Sequence, residues 1–219
     1  MEVRTGRRCM AMVTIYGCKG CGSTVIEAVC KLLGEDYKLI EVAPWESGPA
    51  VESLRALNPL LQVPTVVLDD GTVMTETVAI LLWLLERHPD TDLAPHPGDP
   101  KRAAFLRQLV FFPSAIYPMY TVGDFPERWV KGKAAQEELK EATVQRTLKC
   151  WTAIEASFGP GPFFLGERMS VLDVYAAMLS RWRPGRDRLR EVAPRAVAAA
   201  ERAEAHPDVA PVIARNFGG

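Results

Sequence analysis

One stretch near the start of the chain decides the fold: Thr14-Ile15-Tyr16-Gly17-Cys18-Lys19-Gly20-Cys21-Gly22-Ser23. It reads as the end of a short apolar strand, a glycine-rich turn with two cysteines, and the beginning of a helix. The free N–H groups and the dipole at a helix N-terminus favour the thiolate, which is the reactive form of cysteine. The stretch therefore predicts a strand, a turn and a helix, and it indicates a protein that works with sulfur.

Strand and helix patterns alternate from this stretch as far as residue 88. The helix after the turn places Val25 and Val29 on one face with Leu32 and Leu33, and Gly34 is well placed to end it. An Asp-Gly turn between two later apolar runs is a good hairpin signal. The expected strands are 12–16, 37–42, 65–68 and 73–74, and the two later helices are 51–57 and 76–87. The predicted order is β-α-β-α-β-β-α.

The rest of the chain reads as a linker followed by helices. Four prolines between residues 89 and 100 are typical of a linker. The expected helices are 101–120 with bends at Pro113 and Pro118, 134–158, one that starts at Ser170, and two near 189–205 and 208–216. Ser170 and Asp173 form a capping-box pattern. We predict an α/β domain at 12–88, a linker at 89–100 and an all-helical domain at 101–219.

Composition excludes several classes of protein. The 219 residues carry a net charge of −1, so no overall attraction to nucleic acid or to an anionic membrane is expected. The arginine-rich stretch 181–195 is interpreted as a solvated helix face, and no run of residues approaches the length of a membrane span. Five cysteines without a signal peptide indicate a reducing, cytoplasmic compartment. Residues 1–11 are interpreted as a loose leader, with Met10 or Met12 as the structural start.

Several motifs in this order resemble the glutathione transferase family, in particular its bacterial, cytosolic type. The segment 16–34 is similar to the family's first strand, catalytic turn and first helix, and 58–64 (NPLLQVP) is similar to its Asn-Pro-x-x-x-Val-Pro segment. The segment 71–80, with TETVAI, is similar to its Glu-Ser-x-Ala-Ile helix start, and the capping box at residues 170–173 also looks like a family feature. The resemblance implies an N-terminal thioredoxin-like domain, a C-terminal helical bundle, glutathione as cosubstrate and a homodimer.

The resemblance also implies a binding site for glutathione. In relatives the proline of the Val-Pro pair is cis, so that Val63, between Gln62 and Pro64, would pair its main chain with the cysteinyl part of glutathione. Glu76 and Thr77 would begin a helix, whose N-terminus binds the γ-glutamyl carboxylate. Glu76 would take the ammonium group, and the Thr77 hydroxyl replaces the commoner serine. Taken alone, Pro64 reads as a strand-start residue, and Glu76 and Thr77 as helix-capping residues.

The catalytic group has several candidates. Cys21 falls where cysteine-type relatives carry their thiol, whereas serine-type relatives use a hydroxyl one position earlier, at Gly20 of this chain. Ser23, Cys18 and Tyr16, in that order, are the other candidates. A hydroxyl would lower the pKa of the glutathione thiol and suit conjugation, whereas a cysteine would form a mixed disulfide and suit thiol exchange. Cys21 itself could instead be a small, buried and inert residue.

Cys18 and Cys21 also form a Cys-x-x-Cys pair. It could close a disulfide with Cys18 as the resolving thiol, although the pair is shifted relative to the helix start of glutaredoxin-like proteins. A zinc site is not expected, because His88, His96 and His206 are distant in sequence and no second cysteine pair exists.

The second substrate is expected to bind between the two domains. The candidate lining residues belong to the first long helix or follow it, and only one or two are expected to line the pocket. They are Arg107, Phe111, Ser114, Tyr117, Tyr120 and Trp182. Arg107, Phe111 and Ser114 share one face of a regular helix.

The sequence thus favours a glutathione-dependent enzyme that acts through Cys21 by thiol transfer, deglutathionylation or conjugation. Conjugation or isomerisation of a small electrophile through Ser23 is the first alternative. A non-catalytic binding or regulatory module of the same fold is the second.

Overall fold

A computed structural model describes residues 12–218, so the expected leader at 1–11, including Cys9, lies outside the described residues. The chain forms two compact units. The first, here the N-terminal unit, extends to Leu84 and includes the residues from Pro211 onward. The second, the helical unit, comprises Leu85–Ala210.

The N-terminal unit contains the predicted order of strands and helices. Its strands are β1 (Val13–Gly17), β2 (Tyr37–Glu41), β3 (Thr65–Val67) and β4 (Val73–Met74). Its helices are α1 (Ser23–Leu33), α2 (Pro49–Leu57) and α3 (Thr77–Arg87), the last of which runs on into the helical unit. Gly34 ends α1 in the left-handed conformation, with φ of 66°, as its position predicted.

The sheet is small and mixed, with strand order β2-β1-β3-β4. β1 is parallel to β2 and antiparallel to β3, and β4 is antiparallel to β3. Consequently the end of β1, the start of β3 and the end of β4 all lie at one edge of the sheet. This topology confirms the predicted thioredoxin-like domain.

Burial of α1 differs from the one-sided pattern read from the sequence. Every residue from Ser23 to Cys30 is buried, whereas Leu32 and Leu33 are only half-buried. The first two turns of the helix are therefore enclosed on all sides, and a charged residue within them, Glu27, is only 1% exposed.

The helical unit confirms the predicted all-helical C-terminal region. Its helices are α4 (Arg102–Phe111), α5 (Tyr117–Asp124), α6 (Lys133–Ala156), α7 (Val171–Leu179), α8 (Arg186–Val192) and α9 (Pro194–Glu204). The final helix, α10 (Ala210–Phe217), belongs almost entirely to the N-terminal unit. Among the helices within residues 12–218, none has both the length and the apolar character that crossing a bilayer requires.

Two of the expected helices are interrupted. The helix expected at 101–120 is α4 followed by a π-helical turn, Phe112–Ile116, which contains Pro113, and then by α5. The helix expected near 189–205 was wrong as a single element, because it breaks between α8 and α9 at Ala193. Ala193 precedes Pro194 and has φ of −147°, since a residue before proline is sterically disfavoured in the helical conformation.

Candidate functional site

Three segments meet at one edge of the sheet in the N-terminal unit. The turn 18–22, here the thiol turn, leaves β1 there, and Thr65 pairs with Tyr16, which places the Val63–Pro64 bond beside the end of β1. β4 ends at the same edge and leads through Glu76 into α3. The topology therefore brings together the three segments that the sequence assigned to a site.

Cys21 occupies the last part of the thiol turn. Its N–H donates to the Cys18 carbonyl at 3.1 Å, and its own carbonyl accepts from the Thr24 N–H at 3.1 Å and the Thr24 hydroxyl at 2.8 Å. Its side chain is half-buried, and Gly22 follows as the N-cap residue of α1. Cys21 thus presents a partly accessible thiol beside the N-terminus of a helix, where a thiolate is favoured.

Ser23 is buried and bound to the main chain. Its hydroxyl donates to the Cys18 carbonyl at 3.2 Å and accepts from the Cys18 N–H at 3.1 Å, and the residue is 0% exposed. It also lies against Gly17, where a Cβ would come within 2.7 Å of both side-chain atoms of Ser23. Through these contacts Ser23 connects the start of α1 to the residues at the end of β1.

Cys18 differs from Cys21 in its surroundings. It is only 8% exposed, and burial raises the pKa of its thiol above the ordinary value. A hydrogen bond with Cys21 acts against this rise, whereas the carboxylates of Glu41 and Glu46 add to it. Cys18, Cys21, Cys30 and Cys150 are not joined by disulfides. The Cys18 thiol is therefore harder to ionise than an exposed cysteine thiol.

Tyr16 lies within the core rather than in the turn. It is 9% exposed and packs in an apolar cluster with Val42, Val51 and Leu54. Val63 also packs against this cluster, and a catalytic role for Tyr16 stays a prediction.

The Val63–Pro64 peptide bond is cis, as the resemblance implied. The loop before it is braced by Asn58, whose side-chain amide donates to the Gln62 carbonyl at 3.3 Å and to the Thr65 hydroxyl at 3.1 Å. Gln62 is exposed, Val63 is half-buried and Pro64 is buried. Among the described residues, no hydrogen-bond partner is found for the main-chain N–H or C=O of Val63.

Glu76 and Thr77 form the start of α3. Glu76 has φ of 65°, an uncommon conformation for a residue with a side chain, and its side chain is exposed. Its carbonyl accepts from the Ile80 N–H at 3.1 Å. Thr77 is the first residue of α3 and is 9% exposed. Strained residues of this kind cluster at ligand sites, which makes Glu76 a candidate binding residue.

The residues assigned to a second-substrate pocket belong to the helical unit. Tyr117 and Tyr120 each pack edge-on against Trp182, with ring centroids 5.1 and 4.9 Å apart, and Tyr120 is buried. Arg107 and Ser114 are exposed, and Phe111 is half-buried. The π-helical turn intervenes before Ser114, so the seven-residue spacing does not return to the same face as it would in a regular helix. The pocket remains a prediction.

Sequence reasoning missed three residues beside the thiol turn. Asn216 accepts a hydrogen bond from the Gly20 N–H at 3.3 Å, and Arg215 pairs with the buried Glu27 at 2.5 Å. The one available signal was a charged residue inside the buried pattern of α1. Its partner is 188 positions away, a separation that no local pattern reveals. Within residues 12–218, no group of three or more potential metal ligands is found.

Comparison with known proteins agrees with this architecture. Residues 23–87 match the family model for the N-terminal domain of glutathione S-transferase. The GST-like protein YncG of Escherichia coli K12 is 34% identical over 206 residues, which cover 94% of this chain and 98% of YncG. This chain therefore belongs to the glutathione S-transferase family.

Two further relatives bear on the site. The crystal structure of a glutathione transferase homologue from Sulfitobacter, with bound glutathione, has a TM-score of 0.78 at 25% identity, covering 93% of this chain and 97% of that one. A probable maleylacetoacetate isomerase from Caenorhabditis elegans is 35% identical over 98 residues. That match covers 44% of this chain and 43% of the isomerase.

Proposed function

We propose that the edge of the sheet binds glutathione. The main chain of Val63 would pair with the cysteinyl part of the tripeptide, in the manner of an added strand, with Gln62 and Pro64 bordering that segment. The N-terminus of α3 would hold the γ-glutamyl carboxylate through its free N–H groups and the Thr77 hydroxyl, and Glu76 would pair with the ammonium group. The Sulfitobacter homologue with bound glutathione supports glutathione as the ligand.

We infer that the reaction is thiol–disulfide exchange through Cys21. The Cys21 thiolate would attack the glutathionyl sulfur of a mixed disulfide, forming a Cys21–glutathione disulfide and releasing the other thiol. The thiolate of a second glutathione would then attack the glutathionyl sulfur of that disulfide, releasing oxidised glutathione and restoring the Cys21 thiolate. The observation that carries this proposal is the half-buried Cys21 thiol beside the start of α1, next to a Ser23 hydroxyl already bound to Cys18.

The test is glutathione-dependent reduction of a mixed disulfide between glutathione and a small thiol. We expect Cys21→Ser to lose activity by about 100-fold or more, because the nucleophile is gone. Cys18→Ser is the matched control, and it should keep activity within about threefold, because the Cys18 thiol is buried and poorly ionised. Equal activity of wild type and Cys21→Ser would overturn the proposal.

Conjugation or isomerisation of a small electrophile is the second candidate. The partial match to the probable maleylacetoacetate isomerase favours it. In that reaction Ser23 would have to donate a hydrogen bond to the glutathione thiolate, which requires it to leave the Cys18 carbonyl. Loss of electrophile turnover in Ser23→Ala, with full turnover in Cys21→Ser, would establish this candidate over thiol exchange.

The third candidate, a binding module without catalysis, requires a measurement of glutathione binding itself. Titration calorimetry that detects no glutathione binding would overturn the proposed site altogether.

We also propose a cytoplasmic homodimer. The dimer is supported by the exposed apolar side chains of Trp45 (65%) and Leu60 (74%) in the N-terminal unit. Light scattering should give twice the chain mass of 24.2 kDa.

A further inference from the structure

The final helix, α10, packs within the same unit as the sheet and the thiol turn. Its buried residues are Val212, Ile213 and Asn216. Two polar side chains near its end, Arg215 and Asn216, reach the segments on either side of Cys21.

Asn216 contacts the main chain of the thiol turn directly. Its Oδ1 accepts from the Gly20 N–H at 3.3 Å, while its Nδ2 donates to the Val212 carbonyl at 2.9 Å. Asn216 is 6% exposed, so these hydrogen bonds are shielded from water. Gly20 itself has φ of 69°, and a Cβ there would lie 3.7 Å from the Phe217 ring. The end of α10 therefore lies in contact distance of the residue that precedes Cys21.

Arg215 contacts α1, which follows Cys21 in the chain, and β2. Its guanidinium pairs with Glu27 Oε2 on α1 at 2.5 Å and with Glu41 Oε2 on β2 at 3.5 Å. Burial raises the pKa of Glu27, and the Arg215 guanidinium opposes that rise. Removing Arg215 would leave a nearly fully buried carboxylate without its cation, one turn into α1.

Ser23 and the Cys21 N–H hold the thiol turn at Cys18, whereas the part of the turn around Cys21 contains two glycines. Gly20 and Gly22 flank Cys21, and glycine is the residue with the most backbone freedom. The turn must hold the Cys21 sulfur close to the N-terminus of α1 if the helix is to stabilise the thiolate. An outside hydrogen bond to Gly20 supplies a restraint that the two glycines do not.

We propose that Arg215 and Asn216 are positioning residues, which hold the thiol turn against α1 and thereby keep Cys21 in its reactive placement. The inference rests on the proposed role of Cys21 but concerns its geometry rather than its substrate. It links an element from the end of the described chain to the chemistry at its beginning.

The test is the rate at which iodoacetamide alkylates Cys21, followed against pH by mass spectrometry of the peptide 20–31. The other cysteine in that peptide, Cys30, is 0% exposed and reacts only on unfolding. The titratable and charged groups about Cys21 are Cys18, Lys19, Glu27, Glu41, Glu46 and Arg215. We expect the midpoint of the profile to rise by about half a pH unit or more in Asn216→Ala, because the thiolate loses its placement at the helix end.

Val212→Ala is the matched control on the same helix. It removes buried apolar contacts and lowers the melting temperature, but it leaves the contacts of Asn216 with Gly20 and of Arg215 with Glu27 in place. An unchanged profile in Val212→Ala beside a shifted one in Asn216→Ala supports the proposal. An unchanged profile in Asn216→Ala, or an equal shift in both variants, would overturn it.

The positioning role of α10 and the thiol-exchange reaction can be tested separately. Alkylation of Cys21 requires no glutathione and no second substrate, so the profile reports on positioning even if exchange activity is absent. If exchange is present, Asn216→Ala should lower kcat by about tenfold with KM little changed, because glutathione contacts are made elsewhere. A change confined to KM would contradict a positioning role.

Discussion

The helices α1 and α7 begin in opposite ways. At α7 the N-cap residue is Ser170, whose hydroxyl accepts from the Leu172 N–H at 3.3 Å. Asp173 accepts from the Ser170 N–H and hydroxyl, both at 2.8 Å, and from the Phe164 N–H at 2.9 Å. At α1 the N-cap residue is Gly22, and no side chain within the described residues caps the helix. The N-terminus of α7 is thus capped by its own side chains and is called the closed start below. The N-terminus of α1 has no such cap and is called the open start.

The closed start of α7 is suited to stability, whereas the open start of α1 is suited to reactivity. Around α7 the capping groups are 0 to 3% exposed, so each buried donor there has an acceptor and the turn is rigid. At α1 the polar side chain nearest the open start, Ser23, is turned toward the main chain of Cys18, and the half-buried neighbour is a thiol. An uncapped helix N-terminus beside a thiol can stabilise a thiolate or an anionic ligand, which a closed capping box cannot do.

The largest expected effect is at the closed start. Asp173→Ala leaves two buried N–H groups and the Ser170 hydroxyl without their acceptor, so we expect a loss of about 3 kcal/mol or more in the free energy of unfolding. Urea unfolding at pH 5 measures it. Asp187→Ala is the control, since this aspartate is in the first turn of α8 with a fully exposed side chain, and its change should stay within about 0.5 kcal/mol. Equal effects of the two variants would contradict this account.

The closed start should also carry a pH dependence. Burial raises the pKa of Asp173 from 3.8 to about 6, against the hydrogen bonds from Phe164 and Ser170. The native state therefore binds this proton more tightly than the unfolded state, and stability falls as pH rises from about 4 to about 6, by up to about 3 kcal/mol. Urea unfolding across that range should show this slope in wild type and a shallower one in Asp173→Asn. Identical slopes would rule out Asp173 as the source.

The next effect is at the open start. Gly17→Ala places a Cβ 2.7 Å from Ser23, so we expect a loss of about 1–3 kcal/mol in unfolding free energy. Ser23→Gly removes both of these close contacts and leaves only Leu39 Cδ1, at 3.2 Å from the new methyl group. If the clash is the cause, adding Gly17→Ala to Ser23→Gly should cost much less than adding it to wild type. Additive losses in this double-mutant cycle would show that the close approach is not what requires glycine.

The smallest effect expected concerns Ser23 alone. Ser23→Ala removes both hydrogen bonds to the main chain of Cys18, and we expect a loss of about 1–2 kcal/mol in unfolding free energy. Thiol-exchange activity at 25 °C should stay within about threefold of wild type, because Ser23 bonds Cys18 and the Asn216 contact with Gly20, next to Cys21, is retained. The control is Ser53→Ala, whose hydroxyl donates to the Pro49 carbonyl at an exposed site, and it should be near neutral. A loss of activity far beyond the loss of stability would instead assign Ser23 a chemical role.

Much of the N-terminal unit could be predicted from the sequence because its signals are local. Apolar runs of strand length, the Asp-Gly turn and Gly34 at the end of α1 each act within a few residues, and the element order from them is confirmed. The break at Ala193 was missed although its cause, Pro194, is also local. The alanine-rich run after Pro194 was interpreted as the continuation of a helix that began near residue 189.

The sequence predicted which segments form the site, but not the role of each residue within them. The motifs identified the thiol turn, the Val63–Pro64 pair and the start of α3, and the cis bond is confirmed. Nothing in the local sequence shows that Ser23 faces the Cys18 main chain or that Tyr16 lies in the core. Which of several neighbouring polar side chains is accessible depends on what packs over them.

By itself the sequence determined the order of elements and the capping box at Ser170 and Asp173, since both follow from backbone preferences and hydrogen bonds between near neighbours. Its motifs indicated the family by resemblance. Only the tertiary structure decided which thiol is accessible, and it alone paired Glu27 with Arg215 and Gly20 with Asn216. Those contacts join residues nearly 200 positions apart, and their geometry exists only after the sheet and α10 have packed together. The reactivity that we propose for Cys21 therefore depends on the folded unit, although the cysteine itself is visible in the sequence.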